Sequence, residues 1–396
     1  MQFVVRKPVF DDHDVVQYYE LAIEKLADED FDAAANVATI AAALQRIPPQ
    51  SKAIVLCSLP LLTSETLIQL PPARTILAVN PCETDAPRLL PVMAALRKRG
   101  YSFELADFQP DAEMEQYFGL TEMVGINPDA CRPEVRRHVL AVNSRLRTIA
   151  RGIATREQRS VAAQAGFRFF QGEYFLHPVN EMTTDIPASK LACLQLLQEL
   201  RRPMLDLRKL EEIVKAQPSF CYRLLRYLNS AAFFGLPTVT SIRHAMALLG
   251  DQDLRRMLTL MAAVASSDGQ PSEIVFMSML RARLCELLSP EFPEHGFMTG
   301  LFSLMPMIVN MPLSAMLSVV HLPSPVDKAL WGQPGALRMV LDITVAYERG
   351  QWKILRELAD RLRLSPEQVF AARGEASSWA NRVMAAASET PVPTSA

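Results

Sequence analysis

The sequence has no apolar segment long enough to cross a membrane. The longest one starts at Leu301 and reads LFSLMPMIVNMPL, and Pro306, Asn310 and Pro312 interrupt it. A spanning helix needs about 20 apolar residues. The first residues, MQFVVRKPVFDDHD, carry charges where a secretory signal needs an apolar core. These absences predict no membrane span and a cytoplasmic location.

Paired cysteines and an excess of charge of one sign are also absent. The six cysteines are scattered, which excludes a disulfide framework or a zinc site and is typical of reduced, buried thiols. The 41 Lys and Arg residues nearly balance 43 Asp and Glu residues, whereas nucleic-acid binding needs a basic face. We expect no nucleic-acid partner. The alternative rests on Arg136, Arg137, Arg255 and Arg256, and such pairs usually form a solvated helix face.

Short apolar segments alternate with longer helical patterns from Phe3 to about Pro178. This alternation is typical of strand-helix units around a largely parallel sheet. The spacing fits a barrel, in which chemistry occurs at the carboxyl ends of the strands. The segments predicted to be strands are FVVRKPVF, KAIVLCSL, TILAVN, YSFELADF, MVGIN, RTIARGIA and GFRFFQGEYF.

The second half of the chain is predicted to be helical. The segment NEMTTDIPA, from Asn180 to Ala188, is polar and lacks apolar periodicity, so we place the domain boundary there. LACLQLLQELRR then forms a connector helix, and Asp206 caps the helix LRKLEEIVKA. The predicted parts are a barrel domain at 1–180, a linker and connector helix at 181–202, an all-helical domain at 203–386 and a disordered tail at 387–396.

Three segments of the first half resemble the EAL domain, a barrel that hydrolyses the bacterial second messenger cyclic di-GMP. RKPVFDDHDVVQYYELAIE resembles its opening, LADF its paired-aspartate strand, and FQGEYFLHP its closing segment. The resemblance implies a TIM-like β/α barrel, a site for two metal ions, and association into a homodimer. Glu20, Asp107 and Gln171 match positions of that site.

Most of the other positions that this resemblance assigns to the site carry different residues. Two divalent ions need several converging carboxylates and an amide oxygen. Ala78 replaces a glutamate, Ala106 the first aspartate of the pair, and Gly125 a lysine, while Leu56 lies near the expected asparagine. We therefore predict no metal, no cofactor and no enzymatic activity. The three matching residues are then a remnant ligand-binding site.

Each matching residue also has a structural interpretation. A carboxylate such as Glu20 at a strand end often pairs with an arginine or caps a helix. Asp107 is placed to cap a helix predicted near Asp111, and Gly172, after Gln171, permits a tight backbone approach as the barrel closes. Because the other parts of the site are missing, we favour these structural roles.

The stretch from Pro218 to Gly250 resembles the signature of the HDOD domain, an all-helical relative of the HD-type metal phosphohydrolases that lacks their metal ligands. The matching segments are LLRYLNSAAFFG and SIRHAMALLG, followed by LRRMLTLMA. No histidine of the second half is followed by aspartate, so we expect no HD-type metal site. The candidate partner-binding residues of this signature are Asn229, Ser230, Phe234 and His244.

Together, the two resemblances are those of an EAL-HDOD two-domain bacterial signal-transduction protein, an α/β barrel followed by an all-α domain. They imply a catalytically inactive scaffold or regulator of cyclic di-GMP-linked signalling that binds other signalling proteins. One alternative is a receptor that binds cyclic di-GMP without hydrolysing it. A less favoured alternative is an active cyclic di-GMP phosphodiesterase.

Overall fold

The computed structural model divides the chain into two compact units, Met1–His177 and Pro178–Ala396. The residues that the structure describes are 2–25, 32–49, 51–81, 86–107, 116–129, 146–176, 188–200, 202, 204–215, 250–251, 254–255, 258–259, 262, 272–309, 312–320 and 322–388.

The first unit contains eight strands that close into a barrel in chain order. From the second strand to the eighth, neighbours are parallel, and the first strand is antiparallel to both strands that flank it. The predicted barrel is therefore confirmed. The strands are Gln2–Phe10 (β1), Val16–Lys25 (β2), Lys52–Leu56 (β3), Thr75–Val79 (β4), Ser102–Leu105 (β5), Met123–Ile126 (β6), Arg147–Ala150 (β7) and Phe169–Gln171 (β8).

The strand that the sequence pattern did not predict is β2. It pairs with β1 over almost its whole length, starting with Lys25 opposite Gln2. The turn between the two strands has a positive φ of 58° at Asp14, whose carboxylate accepts a hydrogen bond of 2.9 Å from the Tyr174 hydroxyl. The mixture of polar and apolar residues in VQYYELAIEK obscured the alternation. Only its pairing with β1 and β3 reveals a strand.

Helices connect several of the barrel strands. Asp32 caps the first of them by accepting a hydrogen bond from the N–H of Ala35 at 3.0 Å. Thr155 and Gln158 form a capping box at the start of the last, which satisfies N–H groups that the helix itself leaves unpaired. These helices are Ala33–Leu44 (α1), Leu59–Leu62 (α2), Ala86–Lys98 (α3) and Arg156–Gln164 (α4).

Apolar side chains fill the middle of the barrel. Tyr18 belongs to this filling, and its hydroxyl accepts a hydrogen bond of 2.6 Å from Arg147, the first residue of β7. Such a barrel is a packed core, so a binding site has to lie at one of its ends. The interior cluster consists of Val9, Tyr18, Ile54, Ile76, Ala78, Ala106, Met123 and Ile149, with Phe169 packed against it.

The backbone around the end of β8 lies close to the backbone of Ile153. The Ile153 N–H donates to the carbonyl of Gln171, and the Ile153 carbonyl accepts from the N–H of Tyr174, both at 3.1 Å. A Cβ atom on Gly172 would lie 2.1 Å from the Ile153 carbonyl oxygen. The prediction that Gly172 permits a tight backbone approach is confirmed.

The second unit is built from helices, and its described residues contain no strand. Asp206 accepts hydrogen bonds from the N–H groups of Arg208 (3.1 Å) and Lys209 (3.2 Å), which confirms the predicted cap. The helices are Ala188–Glu199 (α5), Leu207–Lys215 (α6), Ser272–Leu287 (α7), Pro293–Phe302 (α8), Met305–Val309 (α9), Leu313–Val319 (α10), Ser324–Leu330 (α11), Ala336–Glu348 (α12), Trp352–Arg361 (α13) and Pro366–Ser388 (α14).

The last of these helices, α14, extends two residues into the segment that was predicted as a disordered tail, 387–396. The rest of that segment, 389–396, lies outside the described residues.

Helices α7 and α8 pack with their backbones close together. A Cβ atom would lie 2.4 Å from the Cys285 carbonyl oxygen if it were placed on Gly296, and 2.2 Å from that of Arg281 if it were placed on Gly300. Most residues of α8 and α9 are buried, and these two helices include the first part of the longest apolar segment. Within the described ranges, no helix combines the length and the hydrophobicity that a bilayer crossing requires.

The cysteines within the described ranges, Cys57, Cys193 and Cys285, are buried and form no disulfide. Burial raises the pKa of the Cys285 thiol to about 12, and alkylating reagents attack the thiolate. We expect iodoacetamide at pH 8 to leave Cys285 unmodified in the folded chain and to modify it in urea. Peptide mass spectrometry resolves each cysteine, and modification of Cys285 at equal rates in both states would contradict this expectation.

Candidate functional site

Charged side chains form a layer above the apolar filling of the barrel. Strand side chains alternate between the two faces, so a residue two positions from an interior residue also faces the interior. Strands β1, β2 and β5 each carry a charged residue at this spacing, and Arg151, which directly follows β7, is a fourth. We call these four residues the lumen ion cluster. Each is two positions from an interior residue of the barrel: Lys7 from Val9, Glu20 from Tyr18, Glu104 from Ala106, and Arg151 from Ile149.

Arg151 lies between two carboxylates of this cluster. Its Nη2 donates to Oε1 of Glu104 at 2.6 Å, and its Nε donates to the same oxygen at 3.1 Å. Its Nη1 donates to Oε2 of Glu20, and Nζ of Lys7 lies 3.7 Å from the other Glu20 oxygen. The Arg151 side chain is 12% exposed and that of Glu104 is 0% exposed. Water therefore screens this pair weakly.

The protonation of the cluster follows from burial and charge. Burial raises the pKa of the Glu104 carboxyl, and the neighbouring Arg151 opposes this shift only in part. Burial acts to lower the pKa of Arg151, but Glu104 and Glu20 outweigh it and raise that pKa, so the guanidinium stays charged. Oε2 of Glu104 is buried and has no hydrogen-bond partner among the described residues. The cluster thus holds one fixed cation and one incompletely satisfied carboxyl group.

Gly125 on β6 makes room for this arrangement. A Cβ atom there would lie 2.3 Å from Nε of Arg151 and 2.4 Å from Oε1 of Glu104. The backbone N–H of Arg151 donates to the Ile126 carbonyl at 2.7 Å, so the arginine is anchored beside β6. The lysine that the EAL resemblance expects at this position is replaced by the residue with no side chain.

We expect Gly125→Ala to lower the free energy of unfolding by about 1–3 kcal/mol, because the new methyl group overpacks the site and displaces the Arg151–Glu104 pair. Gly119→Ala is the matched control, since a Cβ atom on Gly119 meets no atom within 4 Å. Urea unfolding followed by circular dichroism measures both variants. If Gly125→Ala and Gly119→Ala were equally stable, the Arg151–Glu104 pair would be able to move aside without loss of stability.

The structure brings only part of the predicted ligand-binding site together. Glu20 lies in the lumen ion cluster. Asp107 follows the end of β5 with a positive φ of 47° and is exposed, and its charge adds slightly to the raised pKa of Glu104. Gln171 is buried at the end of β8. The helix predicted to start near Asp111 lies outside the described residues, as do Asn229, Ser230, Phe234 and His244.

Sequence reasoning missed Lys7, Glu104 and Arg151. Glu104 and Arg151 lie in the strand segments YSFELADF and RTIARGIA that were predicted, and each is two positions from an interior apolar residue. The alternation of inward and outward side chains along those segments would have placed Glu104 and Arg151 in the lumen, whereas a comparison with motif positions did not.

Of the four arginines on which the nucleic-acid alternative rests, Arg255 lies within the described residues. Its Nε donates to Oδ2 of Asp251 at 2.6 Å, and its Nη1 donates to the Leu200 carbonyl. Arg136, Arg137 and Arg256 lie outside the described residues. Arg255 therefore serves contacts within its own unit.

The metal ions that the EAL resemblance implies do not fit this arrangement. Hard divalent cations take carboxylate oxygens as ligands, yet one oxygen of Glu20 and one of Glu104 already accept hydrogen bonds from the Arg151 guanidinium. Within the described ranges, no group of three or more His, Cys, Asp or Glu side chains is placed to hold a metal ion.

A comparison with family models finds a match in part of the helical unit. Residues 186–302 match the HDOD domain. The match begins within the segment predicted as linker and connector helix, 181–202, and the predicted boundaries remain predictions. An eight-stranded barrel precedes it in this chain. The order of the two parts is that of EAL-HDOD proteins, which confirms the predicted resemblance.

Two curated proteins are similar to most of the chain. The Vibrio cholerae protein named cyclic di-GMP phosphodiesterase CdgJ is 27% identical over 323 residues, which cover 78% of this chain and 74% of that protein. The uncharacterized protein YuxH of Bacillus subtilis is 25% identical over 405 residues, covering 96% of this chain and 98% of that protein.

Solved structures of EAL proteins are similar at lower identity. A manganese and cyclic di-GMP complex of Klebsiella pneumoniae BlrP1 is 17% identical with a TM-score of 0.38. That match covers 43% of this chain and 54% of BlrP1, so this chain spans about half the length of that protein. The EAL domain of Xanthomonas citri FimX in complex with cyclic di-GMP is 14% identical with a TM-score of 0.37, covering 44% of this chain and 86% of that domain.

The prediction that the chain is not an enzyme is wrong by these comparisons, because the similar protein CdgJ is named a phosphodiesterase. The prediction counted carboxylates only at motif positions such as Ala78 and Ala106. The barrel brings Glu104, which is not at a motif position, to the same lumen, and the count left it out.

Proposed function

We propose that this protein acts in cyclic di-GMP signalling and that its barrel binds the nucleotide at the carboxyl ends of the strands. The observation that carries the proposal is the 27% identity to a cyclic di-GMP phosphodiesterase over 78% of the chain. Because one unit ends at residue 177 and the other begins at 178, an alignment of that extent reaches into both. Hydrolysis of cyclic di-GMP, the activity in that relative's name, is the first reaction to assay.

The geometry supports the carboxyl ends of the strands as the binding surface. Lys7, a member of the lumen ion cluster, has a side chain that is 45% exposed, and its ammonium group suits the two phosphodiesters of the ligand. Leu56, the last residue of β3, is 54% exposed and offers apolar contact to a base. Asp107 and Gln171, at the ends of β5 and β8, complete the proposed contact residues together with Glu20.

The test is calorimetric titration of the full chain with cyclic di-GMP, with and without Mg²⁺, followed by chromatography of the nucleotide. We expect binding in the micromolar range, and the chromatogram reports any linear product. Absence of both heat and product at high micromolar nucleotide would overturn the proposal.

A pair of exposed apolar residues gives a matched test of the surface. Leu56→Glu should weaken nucleotide binding at least about tenfold, because it places a carboxylate beside the ligand's phosphates. Val161→Glu on α4 is the control, since Val161 is 58% exposed and lies on a connecting helix. Equal affinity of the two variants would place the nucleotide elsewhere.

We further propose that the helical unit binds a signalling protein, that the chain forms a homodimer and that it works in the cytoplasm. The HDOD match supports the first of these proposals. Asn229, Ser230, Phe234 and His244 are its proposed partner-binding residues. Light scattering of the purified chain tests the dimer, and a monomer mass at all micromolar concentrations would contradict it.

A further inference from the structure

The strongest unassigned feature is the cation buried within the lumen ion cluster. Arg151 is held by the backbone bond to Ile126 and by two carboxylates that come from β2 and β5. Gly125 provides the space beside it, since any Cβ atom there would overlap its Nε. Strands on three sides therefore place one positive charge between Glu20 and Glu104.

A divalent cation would need the same oxygen atoms. Carboxylates bind hard divalent ions through their oxygens at about 2.0–2.6 Å, and an oxygen that accepts a short bond from a guanidinium is not free for an ion. The charge of Arg151 also repels a second cation at this distance, and the weak screening at a buried site strengthens the repulsion. Oε2 of Glu104, which is buried and has no described partner, is a ready ligand once the guanidinium is absent.

We infer that Arg151 is a built-in cation that competes with divalent metal ions for Glu20 and Glu104. The site is closed to metal ions while the guanidinium occupies it, and removal of the guanidinium opens a site for one hard divalent cation such as Mn²⁺. This inference does not rest on the proposed function, since it concerns metal binding by the chain without nucleotide.

The experiment compares the full-length wild type with Arg151→Met in MnCl₂ and without metal. Electron paramagnetic resonance of free Mn²⁺ counts bound ions, and thermal unfolding reports stabilisation by the ion. We expect Arg151→Met to bind one more Mn²⁺ per chain than the wild type. Because binding to the folded state alone raises the midpoint of unfolding, Mn²⁺ at about 100 times its dissociation constant should raise that midpoint by about 5 °C or more in the variant only.

Two further variants separate this effect from the loss of any arginine. Arg147→Met removes an arginine from β7, the strand that directly precedes Arg151, but its partner is the Tyr18 hydroxyl and no carboxylate is uncovered. It should gain no Mn²⁺ site. Adding Glu20→Gln to Arg151→Met should abolish the new site, because it removes one of the two carboxylates.

Two results would overturn the inference. One is a folded Arg151→Met protein that gains no Mn²⁺ site. The other is a Mn²⁺ site in the wild type that Glu20→Gln removes, because the carboxylate would then bind metal with Arg151 in place. The test for a Mn²⁺ site in the wild type needs only the wild type and the isosteric variant Glu20→Gln. It can therefore overturn the inference even if Arg151→Met does not fold.

Discussion

Arg151→Met lowers the free energy of unfolding of the barrel by about 3–5 kcal/mol at pH 8 in the absence of metal ions. Removal of one partner from a buried ion pair leaves the other charge uncompensated, and this costs far more than the pair itself contributes. Here the partner left behind is Glu104, whose side chain is 0% exposed. Glu20 keeps its contact with Lys7 and contributes less.

The loss should be smaller at pH 5 than at pH 8. Burial already raises the pKa of Glu104 above its ordinary value, and removal of Arg151 raises it further. A carboxyl group with a raised pKa in the folded state destabilises that state increasingly as the pH rises above the pKa of the unfolded chain. At the lower pH a larger share of the buried carboxyl groups is protonated and carries no uncompensated charge.

Hydrogen exchange read by mass spectrometry measures this effect in the barrel, with peptides that contain β5 and β7. The double variant Arg151→Met, Glu104→Gln is the control, since it removes both charges. If the single variant fails because of the buried charge, the double variant should recover at least half of the loss. Equal loss in both would mean that packing of the arginine stem, and not charge, sets the stability.

Glu348→Ala in the helical unit is expected to lower its free energy of unfolding by a similar amount, about 3–5 kcal/mol. Arg281 on α7 donates from Nη2 to Oε2 of Glu348 at 2.6 Å and from Nε to Oε1 at 3.0 Å. The two side chains are 8% and 9% exposed. Loss of the carboxylate leaves the guanidinium buried without its bidentate partner.

All three tryptophans, Trp331, Trp352 and Trp379, belong to the helical unit, so their fluorescence follows this unit alone during urea unfolding. Asp342→Asn is the matched control, because Asp342 lies on the same helix α12 and pairs with Arg338, but each side chain is about one-third exposed. It should cost no more than about 1 kcal/mol. A loss as large as that of Glu348→Ala would contradict the role given to burial.

Local sequence signals predicted the architecture well. Seven of eight strands, the cap at Asp206 and the close approach at Gly172 follow from alternation, side-chain chemistry and the lack of a Cβ atom. Such features depend on residues near one another in the chain. The strand β2 was missed, because its sequence pattern is mixed and its identity as a strand depends on β1 and β3 on either side.

The candidate site is formed by residues that are far apart in the chain and close together in the fold. Local sequence signals carry no information about such contacts. Arg151 and Glu20 are 131 residues apart, and Arg151 and Glu104 are 47 apart. Comparison with motif positions identified Glu20 and the missing carboxylates, but it gave no reason to place an arginine among them. Gly125 was recognised as a missing lysine, whereas its role in admitting the arginine requires the barrel.

By itself, the sequence determined a barrel followed by a helical HDOD-containing part, because the periodicity of apolar residues and the signature segments are written along the chain. Only the tertiary structure decided what occupies the lumen. Closure of the barrel brings the inward residues of β1, β2, β5 and the end of β7 into one weakly screened layer. There an arginine is stable only because two carboxylates from distant strands meet it.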